Sequence, residues 1–365
     1  MKYTWQTYKE IMLVFLKLGI LAFGGPAAHI AMMEDEVVHK RKWVTKEKFV
    51  DMIGFTNLIP GPNSTEIAIL LGHARGGKKG LFIAGISFIL PAMLIVLGFA
   101  IIYKNYGSVA YVSSIFDAIK PVILAIVLQA LFRLTKTTLT TIEAFFIFGI
   151  VLALSILGVS EIPLLAIAAG LMFIYRKIKT FRQAKSLVVE PISLITLFLI
   201  FLKIGAVLYG SGYVLLAFLR TELVNNLGII TSAQLIDAVA VGQFTPGPVF
   251  TTATFIGYLV LDVPGAIIAT IGIFLPSFLI IWLLHPLIDK MRGSKNVKHV
   301  LDGVNAAAIA LMAGLTIELG IASLNSILYG FIFIISAFLL IKYKLNSTYL
   351  IVGGAMIGLL MFFIN

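Results

Sequence analysis

The chain has 365 residues, of which 60% are hydrophobic and 12% charged, and its mean hydropathy is +1.04. This balance excludes a soluble globular protein and predicts an all-α polytopic membrane protein, because the apolar runs have the length of membrane-spanning helices. The net charge of +11 indicates basic cytoplasmic loops and not nucleic-acid binding, and the lack of cysteine excludes disulfides and thiolate chemistry.

Apolar helices are predicted in two series along the chain. The first series is expected at 10–33, 46–59, 63–75, 80–104, 116–134, 141–158 and 161–176, and the second at 193–219, 232–245, 249–261, 264–285, 299–318, 321–341 and 347–364. In both series the second and third helices are shorter than the roughly 20 residues that a membrane span needs. Each short pair is therefore predicted to form a re-entrant hairpin, or two short tilted helices that meet at mid-membrane.

The two series are copies of one unit. With a spacing of 186 residues, the stretch 15–62 aligns with 201–248 and shares 13 identities in 48 positions. The spacing then falls to 185, where Gly72 meets Gly257 and Pro91 meets Pro276. Internal duplication of a membrane unit with interrupted helices is typical of secondary transporters.

The second copy is expected to be inverted relative to the first. Either interpretation of the short pairs gives each copy an odd number of membrane crossings, which forces inversion. The basic loops all fall on one side of this arrangement, and the positive-inside rule makes that side cytoplasmic, with both termini outside. The predicted organisation is an N-terminal repeat over 1–178, a basic cytoplasmic connector over 179–192 and a C-terminal repeat over 193–365.

Each copy contains Pro-Gly-Pro at the junction of its two short helices. Such a break exposes the N–H groups and the positive dipole end of the following helix, which suit an anion, whereas a plain proline kink is the alternative. Polar side chains beside the breaks can donate further hydrogen bonds. The predicted anion site comprises Pro60, Gly61, Pro62, Asn63 and Ser64 in the first copy, and Thr245, Pro246, Gly247, Pro248 and Thr251 in the second.

A second interruption lies in the first helix of each copy. It supplies two more helix N-termini to the predicted site, or it allows close helix packing through small residues. The residues concerned are Gly24, Gly25 and Pro26 in the first copy and Gly210, Ser211 and Gly212 in the second.

Two lysines occupy equivalent positions before these interruptions. Lys17 and Lys203 both lie in Phe-Leu-Lys-x-Gly, and an intramembrane lysine indicates a function by default. A matched pair is expected to attract an anion. Snorkelling of the side chain to the interface is the alternative, above all for Lys17.

Titratable groups near the breaks are candidates for proton coupling. Glu66 follows the first Pro-Gly-Pro by one turn, and its ionised form would repel an anion, so its protonation can gate binding. His29 follows Pro26 and is a second candidate, with polar packing as the alternative. Asp51 and Asp237 are a matched pair near helix starts, where they are expected to complement the helix dipole.

Several kinds of chemistry have no motif in the sequence. It lacks a Walker sequence, His-Glu-x-x-His and Gly-x-Ser-x-Gly, and the five histidines show no metal-ligand spacing. Neither a cofactor nor a metal is expected, and the protein is not expected to be an enzyme.

The stretches LKLGILAFGGPAAHIAMMEDEVV and PGPNSTEIAILLG, with VGQFTPGPVFTTATFIGYLVLDVPGA in the second copy, resemble the chromate transporter family in its long two-domain form. The resemblance covers nearly the whole chain. It implies a prokaryotic inner-membrane protein that exports chromate, driven by the proton-motive force. It also adds Gln243 to the site, at a motif position where the first copy has Asn57. The second copy further departs from the first at Ser211 and Gly212, which replace Gly25 and Pro26.

The sequence thus predicts an inverted-repeat secondary transporter for a tetrahedral oxyanion, most favourably chromate. The expected partners are the oxyanion, protons and the lipid bilayer, with a homodimer left open. The alternatives are a transporter of sulfate or another anion, a passive anion channel and, with least support, a membrane enzyme acting on lipid headgroups.

Overall fold

The structure, a computed structural model, describes residues 4–22, 25–56, 59–107, 109–157, 163–165, 168, 192–208, 215–284 and 295–364. Nearly all of these residues are helical, and no strand occurs among them. The connector predicted at 179–192 lies almost wholly outside the described residues, so the domain boundaries stay a prediction.

The N-terminal copy is built from six helices within its described residues. They are α1 (Trp5–Leu21), α2 (Gly25–Glu34), α3 (Lys46–Thr56), α4 (Asn63–Tyr106), α5 (Ala110–Thr138) and α6 (Ile142–Ile156), with a π-helical segment, Asp35–Lys40, that continues α2. Thr4 caps α1 and Thr141 caps α6, because each side chain accepts a hydrogen bond from a backbone N–H of the first turn.

The C-terminal copy repeats this order. Its described helices are α7 (Leu194–Val207), α8 (Leu215–Leu219), α9 (Ser232–Phe244), α10 (Thr252–Leu284), α11 (Lys295–Ser323), α12 (Ile327–Lys342) and α13 (Ser347–Ile364), with a π-helical segment, Arg220–Asn226, after α8 and a 3₁₀ turn, Val249–Thr251, before α10. Thr231 and Gln234 form a reciprocal capping box at the start of α9.

The copies share even a local distortion. α4 is kinked at Gly76 and Gly77, and α10 is kinked 185 residues later at Leu261 and Asp262. The φ angles are −135° and 61° in the first kink and −137° and 51° in the second. The sequence analysis predicted a separate helix on either side of each of these points, and the structure agrees. The dihedral angles there are not helical, and the two parts pack side by side, with Gly72 against Gly80 and Thr254 hydrogen-bonded to Thr270 at 2.7 Å. The duplication itself is confirmed.

Equivalent glycines allow the helices of each copy to pack closely. Gly19 on α1 lies against the backbone of Phe88 on α4, and Gly205 on α7 lies against the backbone of Ile273 on α10. A Cβ atom at either glycine would collide with the carbonyl oxygen of the facing residue. This explains two of the matched glycines as packing residues.

The copies are also intertwined. α5 of the first copy packs against α12 and α13 of the second, and α11 of the second packs against α6 of the first. α4 and α10 contact each other directly. Since the α5–α12 and α11–α6 contacts are equivalent, the copies are related by an approximate two-fold axis.

The described residues include five helices long and apolar enough to cross a membrane, namely Asn63–Tyr106, Tyr111–Lys136, Val249–Leu284, Asp302–Ile321 and Ser347–Ile364. Large apolar side chains such as Phe146, Ile195, Leu283 and Phe331 are exposed on the outside, as expected for contact with lipid. The protein is therefore an all-α, multi-pass membrane protein made of two copies of one unit.

Candidate functional site

The two Pro-Gly-Pro segments have the same backbone form. Pro62 precedes the first residue of α4, and Pro248 precedes the 3₁₀ turn that leads into α10. Gly61 has a φ of 137° and Gly247 a φ of 87°, both in the region that favours glycine. The glycine of each motif is therefore required by the backbone.

Each break is tied to the first helix of the other copy. The Gly61 N–H donates to the carbonyl of Leu208 at 2.8 Å, and the Gly247 N–H donates to the carbonyl of Ala22 at 3.0 Å. Ala22 and Leu208 end α1 and α7, and both they and the two glycines are 186 residues apart. The structure thus brings the Pro-Gly-Pro of one copy next to the helix interruption of the other.

Several predicted site residues fall outside the described residues. They are Gly24, Gly210, Ser211 and Gly212 of the two interruptions and Asn57 before the first Pro-Gly-Pro. Of the first interruption, Gly25 and Pro26 form the start of α2. The roles predicted for all these residues stay predictions.

A buried carboxyl group lies against the first break. Glu66, in the first turn of α4, is 0% exposed, and Ser277 on α10 donates to its Oε1 at 3.4 Å. Its Oε2 has no hydrogen-bond partner among the described residues. A Cβ atom at Gly61 would collide with both Glu66 and Ser277, so the carboxyl group touches the Pro-Gly-Pro backbone.

The second break has no such group. Thr251 stands in the place of Glu66, and Ala92 in the place of Ser277. The Thr251 hydroxyl donates to the carbonyl of Pro248 at 2.8 Å, and a Cβ atom at Gly247 would meet the side chain of Ala92. The two breaks therefore share a backbone and differ in chemistry.

The other predicted polar residues of the breaks are in varied settings. Ser64 and Gln243 are buried, and Asn63 begins α4 at intermediate exposure. The Thr245 hydroxyl donates to the carbonyl of Val241 at 2.9 Å, so it is already used by its own helix. Thr65, which follows Ser64, is fully buried and its hydroxyl has no hydrogen-bond partner in the described part of the chain.

The two predicted lysines each form an ion pair with an equivalent glutamate. Lys17 lies 3.2 Å from Glu36, and Lys203 lies 2.6 Å from Glu222, with lysine side chains that are 53% and 47% exposed. Both glutamates belong to the π-helical segments that follow α2 and α8. Each lysine charge is thus compensated by a carboxylate, and a direct role of the lysines in anion binding stays a prediction.

The acceptor of the first pair remains ionised. Burial acts to raise the pKa of Glu36, but hydrogen bonds from Arg41 and Lys17 outweigh it, so the pKa lies below its usual value. Glu36 is therefore a carboxylate at neutral pH, and the pair with Lys17 is a true ion pair.

His29 supports the end of α1. Its Nε2–H donates to the carbonyl of Ala22 at 3.0 Å, and its ring packs edge-on against Phe88. The same carbonyl accepts the bond from Gly247. His29 therefore touches the contact between the copies, and its role as a proton carrier stays a prediction.

The sequence analysis missed a polar cluster between the copies. The Tyr103 hydroxyl donates to Asp237 at 2.7 Å, and Lys120 lies 2.7 Å from Asp117 and 4.0 Å from Asp237. Asp237 is 4% exposed and lies in the second turn of α9, where Tyr103 from the other copy binds its carboxylate. Its equivalent, Asp51, is only partly buried. Lys120 and Asp117, which lie together within an otherwise apolar stretch of α5, were the sequence signal for this cluster.

No group of three or more metal-ligating side chains occurs in the part of the chain that the structure describes. The described residues offer helix N-termini and buried hydroxyl groups, which suit anion binding. They also offer carboxyl groups of differing exposure, which suit proton binding.

Comparison with known proteins gives a consistent result. The profile of the family described as chromate transporter matches residues 9–174 and 195–359. The chain is 31% identical to the chromate transport protein of Cupriavidus metallidurans, covering 97% of this chain and 93% of that protein. It is 31% identical to a probable chromate transport protein of Synechococcus elongatus (96% and 95% covered) and 26% identical to the chromate transport protein of Pseudomonas aeruginosa (86% and 81% covered).

No solved structure gives a significant match to the chain. The family match falls in two parts, one on each copy seen in the structure, and together they span most of the chain. The chain belongs to the chromate transporter family.

Proposed function

We propose that the protein is a secondary active transporter that exports a tetrahedral oxyanion, most favourably chromate, and is driven by the proton-motive force. The observation that carries this proposal is the reciprocal attachment of the two breaks, Gly61 to Leu208 and Gly247 to Ala22. It joins interrupted helices from both copies, which is where secondary transporters of this architecture bind substrate. The name of the family and the names of its relatives favour chromate.

The anion is held by backbone donors at the first break. α4 begins at Asn63 immediately after Pro62, so its first N–H groups and its positive dipole end face the break. Ser64 and Thr65 add buried hydroxyl groups to this first turn. Such donors bind any tetrahedral dianion of similar size, so sulfate is the second candidate substrate.

Proton coupling is assigned to Glu66. Its carboxyl group touches Gly61 and is hydrogen-bonded to Ser277, and within the described residues no cationic side chain forms an ion pair with it. Ionised, this group repels an anion at the break; protonated, it does not. Anion binding and the protonation of Glu66 therefore favour each other, and a dianion that leaves with one proton still carries negative charge outward, which the membrane-potential part of the proton-motive force drives.

Alternating access uses the symmetry of the backbone. Because equivalent hydrogen bonds join the two copies at both breaks, rocking one copy against the other strains both contacts and can exchange the side to which the site opens. The setting is the plasma membrane of a bacterium or archaeon. A homodimer stays a prediction, as does the assignment of the protein as a non-enzyme.

The test is uptake of labelled chromate and sulfate into proteoliposomes, with and without an imposed pH gradient. We expect saturable chromate flux that follows the gradient. Saturable sulfate flux without chromate flux would keep the mechanism and change the substrate. Flux that is linear in concentration and indifferent to the gradient would replace the transporter with a passive anion channel.

A further inference from the structure

A cavity separate from the two breaks lies between helices of both copies. Its volume is about 640 Å³, within the usual range for ligand sites. Helix α5, the connection from α12 to α13 and the start of α2 form its walls. Gln129 on α5 donates to the carbonyl of Leu340 on α12 at 2.8 Å, which holds two of these walls together.

The cavity is basic. Arg133, Lys136 and Lys344 line it, and no aspartate or glutamate is among its described lining residues. The Lys136 Nζ lies 4.3 Å from the centre of the Phe132 ring, so the aromatic side chain keeps this charge at the cavity wall. Asn346 adds an amide. Three basic side chains around one cavity favour an anionic ligand with more than one charge.

The cavity reaches the helix interruption of the first copy. Pro26, the second residue of α2, is one of its lining residues. The α2 N-terminus therefore adds its positive dipole end to the three cations. Pro26 follows Ala22 by four residues, and the Ala22 carbonyl accepts the hydrogen bond from Gly247 in the Pro-Gly-Pro of the second copy.

Arg133 and Lys136 have no basic counterparts in the second copy. At the 185-residue spacing, Arg133 corresponds to Glu318 and Lys136 corresponds to Ile321. The equivalent position in the second copy is thus unfavourable to anions. Lys136 in the last turn of α5 and Lys344 in the loop after α12 lie on the side that the positive-inside rule assigns to the cytoplasm, from which an exporter takes its substrate.

We infer that this basic cavity, formed by Arg133, Lys136 and Lys344 with the start of α2, binds a tetrahedral oxyanion group on the cytoplasmic side before it enters the transport pathway. Its role as an entry site rests on the proposed transport function, whereas binding itself does not. The chemistry fits a free dianion and the phosphate of a lipid headgroup alike.

Footprinting of lysine amines tests binding without reference to transport. The protein in nanodiscs of neutral lipid is treated with a water-soluble acetylating reagent, with and without sulfate, and modification is quantified by mass spectrometry. We expect sulfate to lower the modification of Lys136 and Lys344 several-fold and to leave Lys342 unchanged. Lys342 is the matched internal control, because it is exposed, neighbours the cavity and does not line it. Arg133→Gln should remove the protection.

Nanodiscs that contain anionic phosphatidylglycerol distinguish a lipid headgroup from a free oxyanion as the ligand. Protection of both lysines in these discs without sulfate, and no further protection with it, assigns the site to a lipid headgroup. Protection that appears only with sulfate assigns it to a free oxyanion. Equal modification of all three lysines under every condition overturns the inference.

The entry role is measured in transporting vesicles. Arg133→Gln and Lys344→Gln should raise the KM for export about tenfold with little change in kcat, since they lower the local anion concentration and not the transport step. Unchanged KM beside clear footprinting would overturn the entry role alone. Absence of flux in the wild-type protein would instead contradict the proposed function. Binding at the cavity would then be judged from the footprinting result alone.

Discussion

The two Pro-Gly-Pro breaks have nearly the same backbone and different side chains. At the first, Glu66 and Ser277 lie against Gly61, while at the second Thr251 and Ala92 occupy the equivalent places around Gly247. The shared backbone geometry gives both copies the same contact across the break. The difference in side chains gives only the first of the two breaks a titratable group, so in the proposed mechanism one break couples to protons. The shared backbone and the differing side chains can be changed separately.

The largest effect is expected from changing the shared backbone. Gly61→Ala and Gly247→Ala place a Cβ atom at positive φ and against Glu66 or Ala92, which should cost roughly 1–3 kcal/mol of stability and abolish transport. Thermal unfolding in detergent and chromate flux measure both effects. Gly98→Ala is the control, because a Cβ atom there meets nothing within 4 Å. Normal flux in either break variant would remove the requirement for glycine.

Removing the titratable group tests the asymmetry directly. Glu66→Gln keeps the size of the side chain, so the protein should fold, but the dependence of flux on the pH gradient should fall about tenfold because the linked proton is gone. Thr251→Val is the matched variant at the second break and should retain the dependence. If flux through the Glu66→Gln variant still depended on the pH gradient, proton coupling would have to be assigned to another group.

The buried cluster offers a smaller contrast between the copies. Asp237→Asn removes the charge that faces Lys120 and binds Tyr103, and should cost roughly 1–3 kcal/mol of stability. Asp51→Asn, at the equivalent but partly exposed position, should cost less. Chemical denaturation of both variants gives the difference. Equal losses would mean that the cluster adds nothing to the stability of the contact between the copies.

The smallest effect is expected from the exposed ion pairs. Lys17→Ala and Lys203→Ala should change stability by less than about 1 kcal/mol, because both side chains are about half exposed. If the lysines also contribute to anion binding, each variant should weaken sulfate affinity while the melting temperature is kept. Wild-type affinity in both variants would limit the lysines to pairing with Glu36 and Glu222.

The duplication and the positions of the breaks could be predicted because both depend on local sequence. Pro-Gly-Pro stops a helix wherever it occurs, and the 186-residue spacing appears in identities alone. The helix ends at Gly76–Gly77 and Leu261–Asp262 could be predicted for the same reason, since non-helical dihedral angles divide α4 and α10 there into the pairs expected from the sequence.

Contacts between the copies could not be predicted, because they depend on packing. The hydrogen bonds from Gly61 to Leu208 and from Tyr103 to Asp237 join residues that are far apart in the sequence, and no sequence pattern pairs them. The lysine–glutamate pairs did have a signal. Lys17 and Glu36 are 19 residues apart, Lys203 and Glu222 repeat that separation, and the positions are identical in both copies.

The exchanged hydrogen bonds also set an order for biogenesis. When the first half of the chain has been inserted, the Gly61 N–H has no acceptor of its own, because Leu208 has not yet been synthesised. A backbone donor left in hydrocarbon is costly, so the first half must remain open or hydrated until α7 arrives. Insertion of the second half therefore completes the first, and a nascent chain arrested before α7 should be recognised as unfinished by membrane quality control.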